Sequence, residues 1–77
     1  MIYKLYSIRD VKANSYSEPF SAPNDEVAVR KYAYLMSKSE MIADDTELYV
    51  VGQFDFEHGE MVTNEKQYLI NYAEVKQ

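Results

Sequence analysis

The sequence has no cysteine and no tryptophan, and it holds one histidine, two glycines and two prolines in 77 residues. Without cysteine there are no disulfide staples and no thiolate metal ligands, and an intracellular compartment is the natural expectation. The single histidine, His58, has only carboxylates for neighbours, which is a poor donor set for a metal centre. A turn-filling surface role is expected for it, with no cofactor. Asp44 and Asp45, with Glu40 and Glu47 around them, read as a solvated acidic loop, because no spaced loop of calcium-ligand type is present. Gly52 and Gly59 alone cannot build a glycine-rich phosphate loop, and no nucleophile–base arrangement stands out. No enzyme is expected. No apolar run approaches 18 residues and no signal-peptide pattern is present, so neither membrane crossing nor export is expected.

What the sequence has in quantity is tyrosine, eight in all. A tyrosine combines an apolar body with a hydroxyl that wants water or a partner, so many of these rings belong at the core edge or at an interface. A chain this short has a thin core and often gains burial by self-association, so a homo-oligomer is expected. The net charge of −5 is unevenly spread. Residues 1–38 hold six basic and four acidic side chains, whereas residues 39–77 hold two basic and nine acidic ones. A general basic surface for nucleic acid is excluded, but a local basic face from the N-terminal half is not.

The clearest element is Thr46 to Phe56, TELYVVGQFDF. Leu48, Val50, Gly52, Phe54 and Phe56 alternate with Glu47, Tyr49, Val51, Gln53 and Asp55, which predicts a half-buried strand with the first set toward the core. Gly52 within it suggests a bulge or the close approach of another backbone. Asp55 to Gly59 reads as a reversal, with Glu60 to Thr63 returning antiparallel. Ile2 to Val11 reads as a first strand with apolar residues on both sides, hence covered on both or lying at a subunit contact. Lys12 to Pro23 reads as a loop, in which Tyr16 and Phe20 are expected to cap the core.

Asn24 to Ser39 is the main helix, with Asn24 as N-cap and Asp25 and Glu26 at the positive end of its dipole. Its buried stripe is Ala28, Val29, Tyr32, Ala33, Leu35 and Met36. The expected fold is therefore α+β: a β-α-β-β domain with a three-stranded sheet and one main helix packed on one face. If its first two strands are parallel, the crossover is right-handed. Residues 1–77 form a single domain, with a core over 1–63 and a C-terminal tail over 64–77. In the tail, Tyr68, Leu69, Tyr72 and Val75 fit a short second helix, while Tyr68, Ile70 and Tyr72 also alternate as a strand would.

One further pattern bears on function. Basic residues interleave with tyrosines, and Arg9, Lys12, Arg30 and Lys31, with Tyr6 and Tyr34 as stacking residues, form a candidate DNA-binding set. Single-stranded nucleic acid is commonly held by a cationic groove and aromatic rings on which bases stack. The bland alternative is tyrosines padding the core margin among solubilising cations.

Three blocks, KLYSIRDVKA (Lys4–Ala13), EPFSAPNDEVAVRKY (Glu18–Tyr32) and ELYVVGQFDFEHGEM (Glu47–Met61), follow one another in an order and spacing that resembles a known family. That family is the small nonstructural proteins of gokushovirus-type phages of the Microviridae, which have single-stranded DNA genomes. The resemblance covers about residues 4–61. It implies a protein of the host cell cytoplasm that binds single-stranded DNA and assists viral genome synthesis or its switch to packaging, alongside phage replication or packaging proteins. It supplies no binding residues to transfer. The alternative is an adaptor that binds another phage or host protein through a tyrosine-rich or acidic surface, without nucleic acid contact.

Overall fold

The computed structural model describes residues 1–77. In chain order the elements are β1 (Ile2–Asp10), β2 (Ser15–Tyr16), β3 (Phe20–Ala22), α1 (Asp25–Ser37), α2 (Glu40–Ala43), β4 (Thr46–Asp55), β5 (Glu60–Asn71) and α3 (Tyr72–Val75). The chain is 47% strand and 27% helix, and its sheet curls into an antiparallel half-barrel. This corrects the three-stranded β-α-β-β expectation. The sheet order is β2-β1-β4-β5, with β3 also pairing β1. Since β2 meets Arg9 and Asp10 while β3 meets Lys4 to Tyr6, the two short strands share one edge of β1 and together fill one position. They arise inside the stretch read as a loop. Pro19 lacks an N–H, and Ser17-Glu18-Pro19 interrupts this edge between its two paired pieces.

No parallel crossover exists either. β1 and β4 are adjacent and antiparallel, from Ile2 opposite Asp55 to Asp10 opposite Thr46. As expected, the Thr46 strand lies between two partners. The tail is where the sequence reading fails most. β5 runs on to Asn71, placing Ile70 opposite Leu48 and Tyr68 opposite Tyr49. A helix there would leave the backbone groups of β4 unpaired along that edge, and the alternation of Tyr68 and Ile70 lets a strand satisfy them. Only then does the short α3 begin, where the Asn71 side chain accepts from Glu74 N–H and Glu74 answers in a capping box.

The alternation of β4 is real but breaks at Val51. Tyr6 pairs with Val50 and Leu5 with Gly52, so Val51 is an extra residue with no partner on β1. Directly opposed residues share a sheet face. Leu48 and Val50 therefore lie with Ile8 and Tyr6 under the helices, whereas Gly52 and Phe54 lie with Leu5 and Tyr3 on the other side. The expectation of one continuous apolar face is corrected accordingly. Gly52 combines both readings made of it: it adjoins the bulge, and a Cβ there would lie 2.3 Å from the Val62 carbonyl oxygen.

The core joins Tyr6 and Leu48 to Ala22, Ala28, Tyr32, Met36 and Ala43, with Leu69, Ile70, Tyr72 and Val75 of the tail packed against it. Helix α1 starts as expected, the Asn24 side chain accepting from Val27 N–H at 2.9 Å. Of its predicted stripe, Ala28, Tyr32 and Met36 are buried, while Leu35 is largely exposed. The Thr46 hydroxyl donates to the Ala43 carbonyl at 2.7 Å, which leaves Tyr32 as donor in its 2.7 Å contact with Thr46. At its middle β1 has three consecutive buried residues, Leu5, Tyr6 and Ser7, so both its faces are shielded there although helices pack on only one of them. No helix is long and apolar enough to cross a membrane.

Asp25 ties the start of α1 to the sheet. Its Oδ1 accepts from the Tyr6 hydroxyl at 2.7 Å and from the Lys4 ammonium at 3.2 Å. The Tyr6 hydrogen bond and then Lys4 hold the carboxyl below the usual carboxylate range. A depressed folded-state value means that Asp25 stabilises the fold at neutral pH. That contribution declines as pH falls below about 4 and is gone once the folded-state carboxylate is protonated. Asp25→Asn should thus be less stable than the parent at pH 7, with the gap closing toward pH 2 in urea titrations. A gap that does not change with pH would contradict this.

Candidate nucleic-acid interface

The helices cover only the Tyr6 and Leu48 side of the sheet. The other side presents, along β1, Tyr3, Leu5, Ser7 and Arg9, with Phe54, Gly52, Tyr49 and Glu47 opposite them on β4. Tyr16 joins this side opposite Arg9, and Tyr68 opposite Tyr49. The rings of Tyr16 and Tyr49 meet edge to face at 5.7 Å, and those of Tyr49 and Tyr68 at 5.9 Å. Tyr16 and Tyr49 belong to strands on either side of β1. The small buried Ser7, opposite Tyr49, leaves room for their rings to meet across that strand. Its hydroxyl donates to the Ser17 carbonyl at 2.8 Å, which keeps the polar group satisfied. At the other end of the same face, Tyr3, Phe54 and Phe56 form a second cluster, with centroids 4.9 and 5.0 Å apart.

Two cations stand at the tyrosine row. The Arg9 guanidinium lies 5.8 Å and the Lys66 ammonium 5.7 Å from the Tyr16 ring centroid. Arg9 also faces Glu47 at 3.5 Å and donates to the Asn14 side chain at 3.3 Å. Lys66 makes no ion pair. Burial and then the hydrogen bond to Glu47 push the Tyr49 hydroxyl up. The hydrogen bond to Glu74 is the first cause that takes Tyr68 to about 12.

The six residues singled out from the sequence divide four ways. Arg9 lies on the uncovered face, and Lys12 is exposed in the turn after β1, 3.9 Å from Asp45. Arg30, Lys31 and Tyr34 come together on the helix side, in an open groove of about 640 Å3 between α1 and the Ser17–Phe20 segment. Tyr6 is fully buried, stacked on Phe20 at 5.6 Å, so its ring has no face to offer a base. Its placement among stacking residues is corrected. Burial first, and then Asp25, raise its phenol well above the ordinary value.

The sequence reading gave Tyr16 a core-capping role, whereas it is 43% exposed on this face opposite Arg9. It also missed Tyr49, Tyr68 and Lys66 as site residues. A signal for the first was present, because Tyr49 fell on the wetter set of the central strand. The other two were hidden in a tail read as helix. His58 closes the β4–β5 turn, with its Nδ1 2.8 Å from Asp55 Oδ2. Glu60 brings a third ligand-type atom within 4.8 Å. Asp55 Oδ1 also accepts from the backbone N–H groups of Glu57 and His58, the geometry of an Asx turn.

The fold and this face define a small, mostly β protein: a curled antiparallel sheet with helices on one side and an aromatic, partly cationic surface on the other. The chain belongs to the phage ORF5 protein family, whose family model matches residues 3–75. Neither the curated proteins nor the solved structures compared with it gave a match.

Proposed function

We propose that this phage protein binds single-stranded DNA on the uncovered face of its sheet, in the service of viral genome synthesis or its switch to packaging. The observation that carries the reading is the row of Tyr16, Tyr49 and Tyr68, with Arg9 and Lys66 at the Tyr16 ring. Bases have π-faces whatever their identity, so exposed rings beside cations suit a sequence-tolerant single-strand site. A duplex keeps its bases stacked and has nothing to offer such rings. Tyr16 and Tyr68 are the accessible stacking positions, and Lys66 and Arg9 face the phosphates.

Few cations take part, and Glu47 already engages Arg9. Two phosphate contacts give a slope of log affinity against log salt of only about −1.4. Fluorescence anisotropy should show preference for single-stranded over double-stranded oligonucleotides. Tyr68→Ala should weaken single-strand affinity roughly five- to a hundredfold, the range for losing one stacked base. Lys66→Gln should reduce the salt slope by about 0.7. Equal affinity for duplex, or a Tyr68→Ala variant that binds like the parent, would sink the proposal.

A further inference from the structure

Two surfaces remain outside the sheet-face site. One is the groove beside α1, where Ile8, Pro19, Phe20, Tyr34 and Leu35 are flanked by two cations, Arg30 and Lys31, and one carboxylate, Glu18, so that its charge is net positive by one. Arg30 and Lys31 make no ion pair, and the Lys31 ammonium donates to the Ser21 carbonyl at 3.0 Å and lies 6.0 Å from the Phe20 ring centroid. The other is the tip of the β4–β5 hairpin. There Phe56, Met61 and Val62 are 49%, 57% and 58% exposed, beside Ile2 at 60%. Large apolar side chains gathered in water mark a surface that is meant to be covered.

The tip is also acidic. Asp55, Glu57 and Glu60 are answered only by the N-terminal ammonium, 4.0 Å from Glu57, and by the His58 imidazole held on Asp55. Groove and tip are thus complementary twice over, apolar against apolar and cationic against anionic. They lie at different ends of β1. Ile2 pairs with Asp55 at the tip, whereas Ile8 lines the groove six residues further on, about 20 Å along the strand. The two surfaces cannot meet within one chain.

We infer that the hairpin tip of one copy docks into the α1 groove of a second copy. Because the two surfaces differ, the contact is heterologous, and it repeats from copy to copy rather than closing as a two-fold dimer. A groove of about 640 Å3 has room for large side chains such as Phe56 and Met61. The contact needs no DNA and goes beyond the single-strand reading. Where both operate, successive tyrosine rows bind along one strand cooperatively.

The test is sedimentation velocity across a concentration series, without DNA. The mean mass should rise past that of a dimer with concentration and fall as salt is added. Arg30→Glu with Lys31→Glu, and separately Glu57→Lys with Glu60→Lys, should each weaken association about tenfold or more, because like charges then face each other. Mixing the two variants in equal amounts should restore it, since each tip then meets a groove of opposite sign. Tyr34→Glu, at a position 62% exposed, tests the groove independently if either double variant fails to fold. A monomer at every concentration would overturn the inference. So would a dimer that goes no further and ignores the reversals. Either result would leave the single-strand affinity of the sheet face standing.

Discussion

Replacing Gly52 by alanine is expected to unzip the β4–β5 hairpin and to cost the protein much of its stability. The added Cβ would lie 2.3 Å from the Val62 carbonyl oxygen, 3.2 Å from Thr63 Cα and 3.3 Å from Val62 C. All three are backbone atoms of the neighbouring strand, so no flexible side chain can swing aside. Relief requires β5 to move away from β4, which breaks ladder hydrogen bonds as well as packing. Overpacking in a rigid site costs about 3 kcal/mol at the upper end of its usual range, and broken pairing adds to that. Against the few kcal/mol that hold a domain of this size together, the loss is large. Thermal unfolding should show a melting temperature lower by more than about 12 °C, and amide exchange should show lost protection in β5 near Thr63. Gly59→Ala is the control. Gly59 has φ +67° and nothing near its missing Cβ, so its substitution costs only the backbone strain of about 1–2 kcal/mol. If Gly52→Ala melts within a few degrees of the parent, the close approach of the two strands is wrong.

The second large effect belongs to Tyr6. Its ring is fully buried against Phe20, in the cluster with Leu48 and Tyr32, and its hydroxyl donates to Asp25. Tyr6→Ala empties a ring-sized space, at a cost of about 3–5 kcal/mol by analogy with other buried aromatic truncations. That is close to the whole stability of a small domain, and the variant should be largely unfolded at physiological temperature. Tyr6→Phe is the informative companion. It keeps the ring and removes one donor from an ionised carboxylate that retains Lys4, for a loss of about 1.5–3 kcal/mol. Its affinity for single-stranded DNA should equal that of the parent, because Tyr6 lies under the helices and not on the tyrosine row. Reduced affinity in a folded Tyr6→Phe protein would return Tyr6 to the binding set.

The elements with strong local signals were legible in the sequence. Asn24 followed by Asp25 and Glu26 marked the helix start, and the alternation within Thr46 to Phe56 marked the central strand. Three things were not legible, each for a physical reason. Short edge strands such as Ser15–Tyr16 have too few residues to display a period, and their pairing is decided by the strand they join. The tail carried two periods at once, and the free edge of β4 chose between them. A bulge inverts every later position, so a correct alternation still assigned Phe54 and Phe56 to the wrong side. The candidate site suffered accordingly. Composition pointed to tyrosine and the N-terminal cations, but of those cations only Arg9 stands at the tyrosine row, and Lys66 comes from the acidic half of the chain. Bringing Tyr16, Tyr49 and Tyr68 into one row required four strands in register, and that information is not local.

Val51, the unpaired residue of β4, has a genetic consequence as well as a structural one. It acts as a phase shift within a single strand: the positions before it obey the helices, and the positions after it obey the hairpin. A one-codon deletion there would leave composition, charge and length nearly untouched. It would close the ladder to plain alternation: Gly52 would follow Val50 directly and stay opposite Leu5, and Phe54 would stay opposite Tyr3, so the kink is lost while the sorting of the two faces is kept.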